Sequence, residues 1–260
     1  MKKLIVSVLF LSILMGCSSN EDIFPETGIA SDINFMPEEI YENFNDPNPP
    51  ILKLKFVTAE IFPCINFSID ITKSIEGNQL SLRFNKIEKS PLCFTALGPA
   101  ITYIELPENI ETLVFINRGK IDRYSVETTN EQVVISTIEK NFTNLLHDKT
   151  FRYPENTFAY TCGTNTDNVY IYNEFLDLLR QTPSLTEHTF TGDGRIPFRD
   201  SSDGHWVDNP SRYFKYTNEV DFNNLKQVLK DYAAQHITPS SGVTISLVSW
   251  DNRKHYSWLN

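Results

Sequence analysis

Hydrophobic and polar positions alternate with a period of two through most of the stretch from Ile51 to Ile138. Leu52, Leu54 and Phe56 alternate with Lys53 and Lys55; Ile65, Phe67, Ile69 and Ile71 alternate with Asn66, Ser68, Asp70 and Thr72. Leu80, Leu82 and Phe84 alternate with Ser81 and Arg83 after a turn at Glu76-Gly77-Asn78. Alternation of this kind puts the apolar side chains on one face of a strand and the polar ones in water. Further runs at 100–106, 112–117, 121–127 and 132–136 bring the expected strands to seven, with turn signals at Gly98-Pro99, Asn117-Arg118-Gly119-Lys120 and Thr129-Asn130.

Beyond Ile138 the period changes. Ile171, Phe175, Leu178 and Leu179 share one face of a helix predicted over 169–180 and stopped at Thr182-Pro183. Asp221 is a suitable cap for a second helix over 222–236, with Phe222, Leu225, Leu229, Tyr232 and Ala233 inward. Strand-like pieces at 157–161, 212–217 and 243–250 flank the helices. The expected fold is therefore mainly β plus α+β: an antiparallel β-sandwich of about seven strands over 51–139, then a small two-helix α+β domain over 140–260. The sandwich resembles immunoglobulin and fibronectin type III domains in size and architecture only. No strand tryptophan is available to it, because all three tryptophans lie after residue 200.

Residues 18–50 read differently. They carry eight acids, no Lys or Arg, and Pro25, Pro37, Pro47, Pro49 and Pro50. Prolines remove donors and like charges repel, so 17–50 is expected to be an extended tether. Within it Met36, Ile40, Tyr41 and Phe44 fall at helical spacing behind Pro37, which suits a short docking helix.

The first residues give the address. Lys2 and Lys3 precede an apolar run from Leu4 to Met15, too short for a relaxed membrane span, and Leu14-Met15-Gly16-Cys17 follows. This resembles the bacterial lipoprotein signal, matching its lipobox at Leu14, Gly16 and Cys17. The resemblance implies a signal peptide over 1–16, and a mature N-terminus at Cys17 carrying diacylglycerol and an amide-linked acyl chain. Several chains anchor durably, since each buried methylene adds about 0.8 kcal/mol. The polar, acidic run Ser18-Ser19-Asn20-Glu21-Asp22 is similar to export tags of surface-exposed lipoproteins. An outer-membrane location facing outward is expected, with the periplasmic face as the alternative. Loss of Lys2 and Lys3 takes the formal charge from −10 to −12. Such a chain has no basic block to meet phosphate, which excludes nucleic acid as the expected partner.

Cys64, Cys93 and Cys162 remain, in a compartment where disulfides persist. Cys64 and Cys93, beside Pro63 and Pro91 at strand edges, are the expected pair, leaving Cys162 as a buried, inert thiol. The loop 191–209 holds Asp193, Arg195, Arg199, Asp200, Asp203, His205 and Asp208. Its spacing lacks the calcium-loop pattern, so Asp200 and Asp203 are only weak metal candidates. His147, His188, His205, His236 and His255 form no zinc motif, and no glycine-rich phosphate loop exists, so no cofactor is expected. At the C-terminal end a hairpin turn over 251–254 would put Val243, Ile245 and Leu247 on one face with Tyr256 and Trp258, and Trp250 beside His255 on the other. Trp250 and His255, with Trp206, are the candidate ligand-binding residues, since aromatic surfaces with polar neighbours suit sugars or proteins. With no catalytic signature, the expected function is a noncatalytic, lipid-anchored binding protein for glycan or protein. The alternatives are a hydrolase using the 191–209 loop, with Asp200 or Asp203 and His205 as acid and base, or an envelope assembly subunit.

Overall fold

The computed structural model describes residues 28–43 and 46–259. The leader, Cys17, the acidic run behind it and Phe44 lie outside them. Strands make up 47% and helices 14% of a β-rich α+β fold.

Along the chain, β1 (Ile33–Ile40), β2 (Ile51–Phe62), β3 (Ser68–Glu76), β4 (Gln79–Glu88) and β5 (Gly98–Glu105) come first. β6 (Thr112–Asn117), β7 (Lys120–Thr128), β8 (Gln132–Glu139), β9 (Thr143–Leu145) and β10 (Lys149–Phe151) follow. They lie in two sheets, ordered β5-β2-β1-β9 and β10-β8-β7-β6-β4-β3. Inward positions of the two sheets interlock as aromatic rings: Phe56 meets Phe84 with centroids 5.3 Å apart, and Phe35 meets Phe115 at 4.9 Å. The seven expected strands correspond to β2 through β8. Two pairings are parallel, β4 with β6 and β1 with β9, where an all-antiparallel sandwich was expected. The physical reason is that β5 crosses to the other sheet, so β6 returns in the direction of β4. Cys64 and Cys93 form a disulfide joining the β2–β3 loop to the β4–β5 loop.

Residues 33–40 are neither the extended tether nor the helix behind Pro37 that was expected there. They form a strand paired with β2 along its whole length. Ile33 and Phe35 also address β9, through Ile33 N to Phe142 O and Leu146 N to Phe35 O. Pro37, two residues on, points the same way but beyond the end of β9, where its missing donor is not needed. Two of the acids are neutralised by distant basic residues. Glu38 is bound by Arg195 at 2.6 Å and Lys55 at 3.2 Å, and Glu39 by Arg152 at 2.9 Å.

The second half builds a third sheet from β11 (Thr157–Thr164), β12 (Leu185–His188), β13 (Val207–Asp208), β14 (Arg212–Tyr216), β15 (Thr244–Ser249) and β16 (Lys254–Tyr256). Its order is β12-β14-β11-β15-β16, with β13 pairing β11 beyond the end of β14. The helices α1 (Tyr170–Gln181) and α2 (Glu219–His236) seal one face, packing on Phe158, Tyr160, Cys162, Phe214, Ile245 and Leu247. The cap of α2 is Asn218, and Asp221 reaches back to it as the reciprocal partner of a capping box, not as the cap expected from sequence. Among the described residues no helix is long and apolar enough to cross a membrane.

The two halves are tied directly. β9 and β10, beyond the expected boundary at 139, complete the sandwich sheets. The long 189–206 loop then joins β10, with Phe151 N bonding Arg195 O at 2.8 Å and Arg195 N bonding Lys149 O at 2.9 Å.

Candidate functional site

The face of the third sheet away from the helices presents Ala159, Thr161 and Gly163 from β11 and Thr244, Ser246 and Val248 from β15. Strand alternation dictates this, because Phe158, Tyr160, Cys162, Ile245 and Leu247 are spent on the helices. Here the cover is the loop 197–205 instead of a helix, and between loop and sheet lies a cleft of about 600 Å³. Its walls include Tyr41, Tyr153, Phe198, Tyr256 and Trp258, and its polar groups include Thr161, Arg199, Ser202, Asp203, His205, Thr244, Ser246 and Lys254. The volume falls in the range of small-ligand sites, which combine apolar walls with a few placed polar groups.

Two aromatic groups make up the walls. Tyr153 meets Phe198 edge to face at 4.7 Å and lies 5.6 Å from Tyr41. Tyr256 and Trp258 lie 4.6 Å apart across the cleft's other margin. The Tyr41 hydroxyl donates to Trp250 O at 2.7 Å and the Tyr153 hydroxyl to Pro197 O at 2.9 Å. Both phenols are thereby committed to backbone, and burial raises the pKa of each. Burial also lowers the Lys254 ammonium and raises the Tyr256 phenol, the latter opposed by Arg199.

The cleft floor holds a row built by pairing. Asp208 on β13 stands opposite Gly163 on β11, which stands opposite Thr244 on β15. The imidazole of His205 lies over the central glycine, where a Cβ would come within 2.3 Å of the ring. His205 Nε2 is 2.8 Å from Thr244 Oγ1. On the other side Nδ1 is 3.7 Å from Asp208 Oδ1, too far for a hydrogen bond, and is buried without a partner. Asp208 Oδ1 instead accepts from His205 N at 3.2 Å. The imidazole thus closes the loop onto the sheet while facing the cleft.

The residues singled out from sequence are dispersed. Asp203 lines the cleft, whereas Asp200 lines an adjoining, more open groove of about 830 Å³ with Asp148, Asp193 and Arg195, where the loop pairs with β10; Pro197, Phe198 and Arg199 border both. That groove has one Phe, Phe198, and no Tyr or Trp in its lining, which makes it the poorer small-ligand site. No group of three or more His, Cys, Asp or Glu among the described residues could hold a metal ion. Trp206 is 88% exposed and takes no part in the cleft wall. Trp250 packs against the helix-side core, and its indole nitrogen is buried. His255 lies beneath α2, stacked on Phe222 at 4.6 Å with Nε2 3.1 Å from Phe222 O. Burial lowers the pKa of its imidazole, against the pull of that carbonyl.

The expected hairpin faces are therefore exchanged. Tyr256 pairs with Ser246 and Lys254 with Val248, on the cleft side, while His255 pairs with Leu247 on the helix side. Val248 and Lys254 are the last pair, so five residues including Trp250 connect the strands where four were expected, and a one-residue change in that length reverses every side chain of the returning strand. Tyr41, Tyr153, Phe198 and Thr244 gave no local signal, since distant segments bring them together. Gly163 within a β-rich run was a readable sign of close approach.

No protein family, curated protein or solved structure matches this chain.

Proposed function

We propose that this is a bacterial lipoprotein, held at the outer membrane by acyl chains on Cys17 and facing outward, whose cleft binds a saccharide. One observation carries the binding reading: a cleft of about 600 Å³ walled by two aromatic groups, with hydroxyls and charges on its floor. Tyrosine and tryptophan rings offer apolar faces to sugar C–H groups, and the intervening polar groups suit ring hydroxyls. Arg199 and Lys254, set against Asp203, favour a sugar bearing a carboxylate.

The anchor is tested in cells, where Cys17→Ser is expected to release the chain from the membrane fraction; retention overturns the lipid reading. The cleft is tested with the chain from Ser18 onward, titrated with oligomers of glucose, N-acetylglucosamine and glucuronic acid. Binding to at least one series is expected, weakened at least tenfold by Trp258→Ala. Binding indifferent to that change, or to none of the sugars, removes the saccharide reading.

A second reading, ester hydrolysis, draws on the 2.8 Å contact of Thr244 Oγ1 with His205 Nε2. Thr244 Oγ would add to an ester carbonyl as its proton passes to Nε2, which returns it to the departing alcohol; water would then free the acid by the same relay. Nδ1 lacks the orienting hydrogen bond that a general base needs, so binding is preferred. Turnover of p-nitrophenyl acetate that disappears with Thr244→Ala would reverse the preference.

A further inference from the structure

At one end of the sandwich, two stretches without a charged residue, 61–69 and 90–104, are brought together by the Cys64–Cys93 disulfide. They form a tip from which Ile61, Ile65, Leu92, Phe94 and Leu97 project, between 48% and 79% exposed. Solitary exposed apolar residues are ordinary, but five gathered in one stapled tip are not. The tip also meets its own backbone needs. The Asn66 side chain donates to Leu92 O and accepts from Phe94 N at 3.1 Å, and Ile65 N bonds Phe94 O at 3.3 Å. Gly98 lets the two segments close, since a Cβ there would come within 2.9 Å of Ile65. Internal pairing of this kind removes the main cost of taking a loop out of water.

Strand register fixes which way the tip faces. β1 begins at Ile33 opposite Thr58, so the chain enters the sandwich at the end where β2 runs on to Phe62 and the tip. Ile29 is held by Asn117 at 2.9 Å, beside the β6–β7 turn. β6 runs parallel to β4 with Ile116 level with Arg83, so this turn also points toward the tip and stops short of it. From Arg83 to the end of β4 at Glu88 the tip side extends by roughly 15 Å more, at about 3.3 Å per residue. Only residues 18–27 separate Cys17 from Gly28, a reach of about 40 Å at full stretch. The cleft is at the opposite end, where β1 passes into Tyr41.

We propose that the tip carrying Ile61, Ile65, Leu92, Phe94 and Leu97 rests in the interfacial layer of a lipid bilayer, as a second, protein-built membrane contact that holds the cleft away from the surface. The orientation rests on the lipid anchor proposed at Cys17, because the two contacts then lie at one end of the molecule. Lacking charge, the tip makes a contact driven by apolar burial, so its strength is indifferent to salt and to lipid charge.

The test is co-sedimentation of the unlipidated chain from Ser18 onward with phosphatidylcholine vesicles, at low and high salt. Weak, salt-insensitive binding is expected. Leu92→Asp with Leu97→Asp should lower the partition at least tenfold, and Val220→Asp, an exposed apolar site on α2, should leave it unchanged. Leu97→Ser serves as a milder variant, expected to give a smaller loss, and circular dichroism checks that each variant is folded. Absence of vesicle binding overturns the proposal. So does binding unaffected by the tip variants, or self-association through the tip in place of lipid contact. Lipidation of Cys17 is read separately from the mass of the membrane-extracted chain, so failure of the anchor and failure of the tip are distinguishable.

Discussion

The two faces of the third sheet are made of alternate residues of the same strands and have opposite fates. On one, Phe158, Tyr160, Cys162 and Leu247 are closed over by two helices whose apolar stripes match them. On the other, Ala159, Thr161, Gly163 and Ser246 are too small and polar to hold a helix, and an irregular loop bridges them with space left beneath. A strand thus specifies a sealed core and an open floor at once. The difference lies in side-chain volume: aromatic and branched residues fill one layer, while hydroxyls and a glycine leave the other unfilled.

The largest test of this contrast is truncation on either side. Phe158→Ala should cost about 3–5 kcal/mol in chemical denaturation, whereas Val248→Ala on the cleft face should cost roughly 1 kcal/mol or less. Equal losses would mean that the cleft face is packed like the other.

Cys162 sharpens the same point by reactivity. Burial pushes its thiol up to about 11, with a smaller opposing contribution from Tyr160. Alkylation at pH 8 should be slower by at least about a hundredfold in the native protein than after unfolding, because the thiol is both held protonated and shut away from reagent. Comparable rates would show that the helix face opens readily.

Gly163→Ala sets a Cβ against the His205 ring. The expected result is displacement of the loop, seen as new protease cuts within 198–206 and a stability loss of about 1–2 kcal/mol, with the helix-side core intact. An unaltered cleavage pattern would argue that His205 does not hold the loop down.

The smallest effect is pH dependence from His255, which burial keeps neutral. Its folded pKa lies below the unfolded value of about 6.5, so the unfolded chain binds the proton more readily. Its stabilisation is complete above about pH 6.5 and is lost as pH falls toward the folded pKa. His255→Gln should flatten that part of the stability profile; an unchanged slope would assign the loss to other groups.

Local pattern made β2 through β8, both helices and the disulfide legible, because each depends on alternation, helical spacing or prolines beside a strand edge. It misread 33–40, where Ile33 and Phe35 offered too short an alternation to outweigh proline and acids, and where the neutralising Arg152 and Arg195 lie far along the chain. At the hairpin, Trp250 was counted in the strand although it opens the turn, which put Tyr256 and His255 on the wrong faces. The cleft needed three-dimensional information throughout. Asp203 and His205 were visible as chemistry in a polar loop, but Tyr41, Tyr153 and Thr244 acquire meaning only once the loop has folded over the sheet.

The central claim, that the helix-free face of this sheet is a ligand floor, is tested most directly by amide chemical-shift mapping of the chain from Ser18 onward as glucuronic-acid oligomers are added. The account predicts saturable shifts at Thr161, Ser246, Tyr256 and Trp258, with Tyr160, Cys162 and Leu247 on the helix side little changed. Shifts confined to other surfaces, or none at saturating sugar, would contradict it.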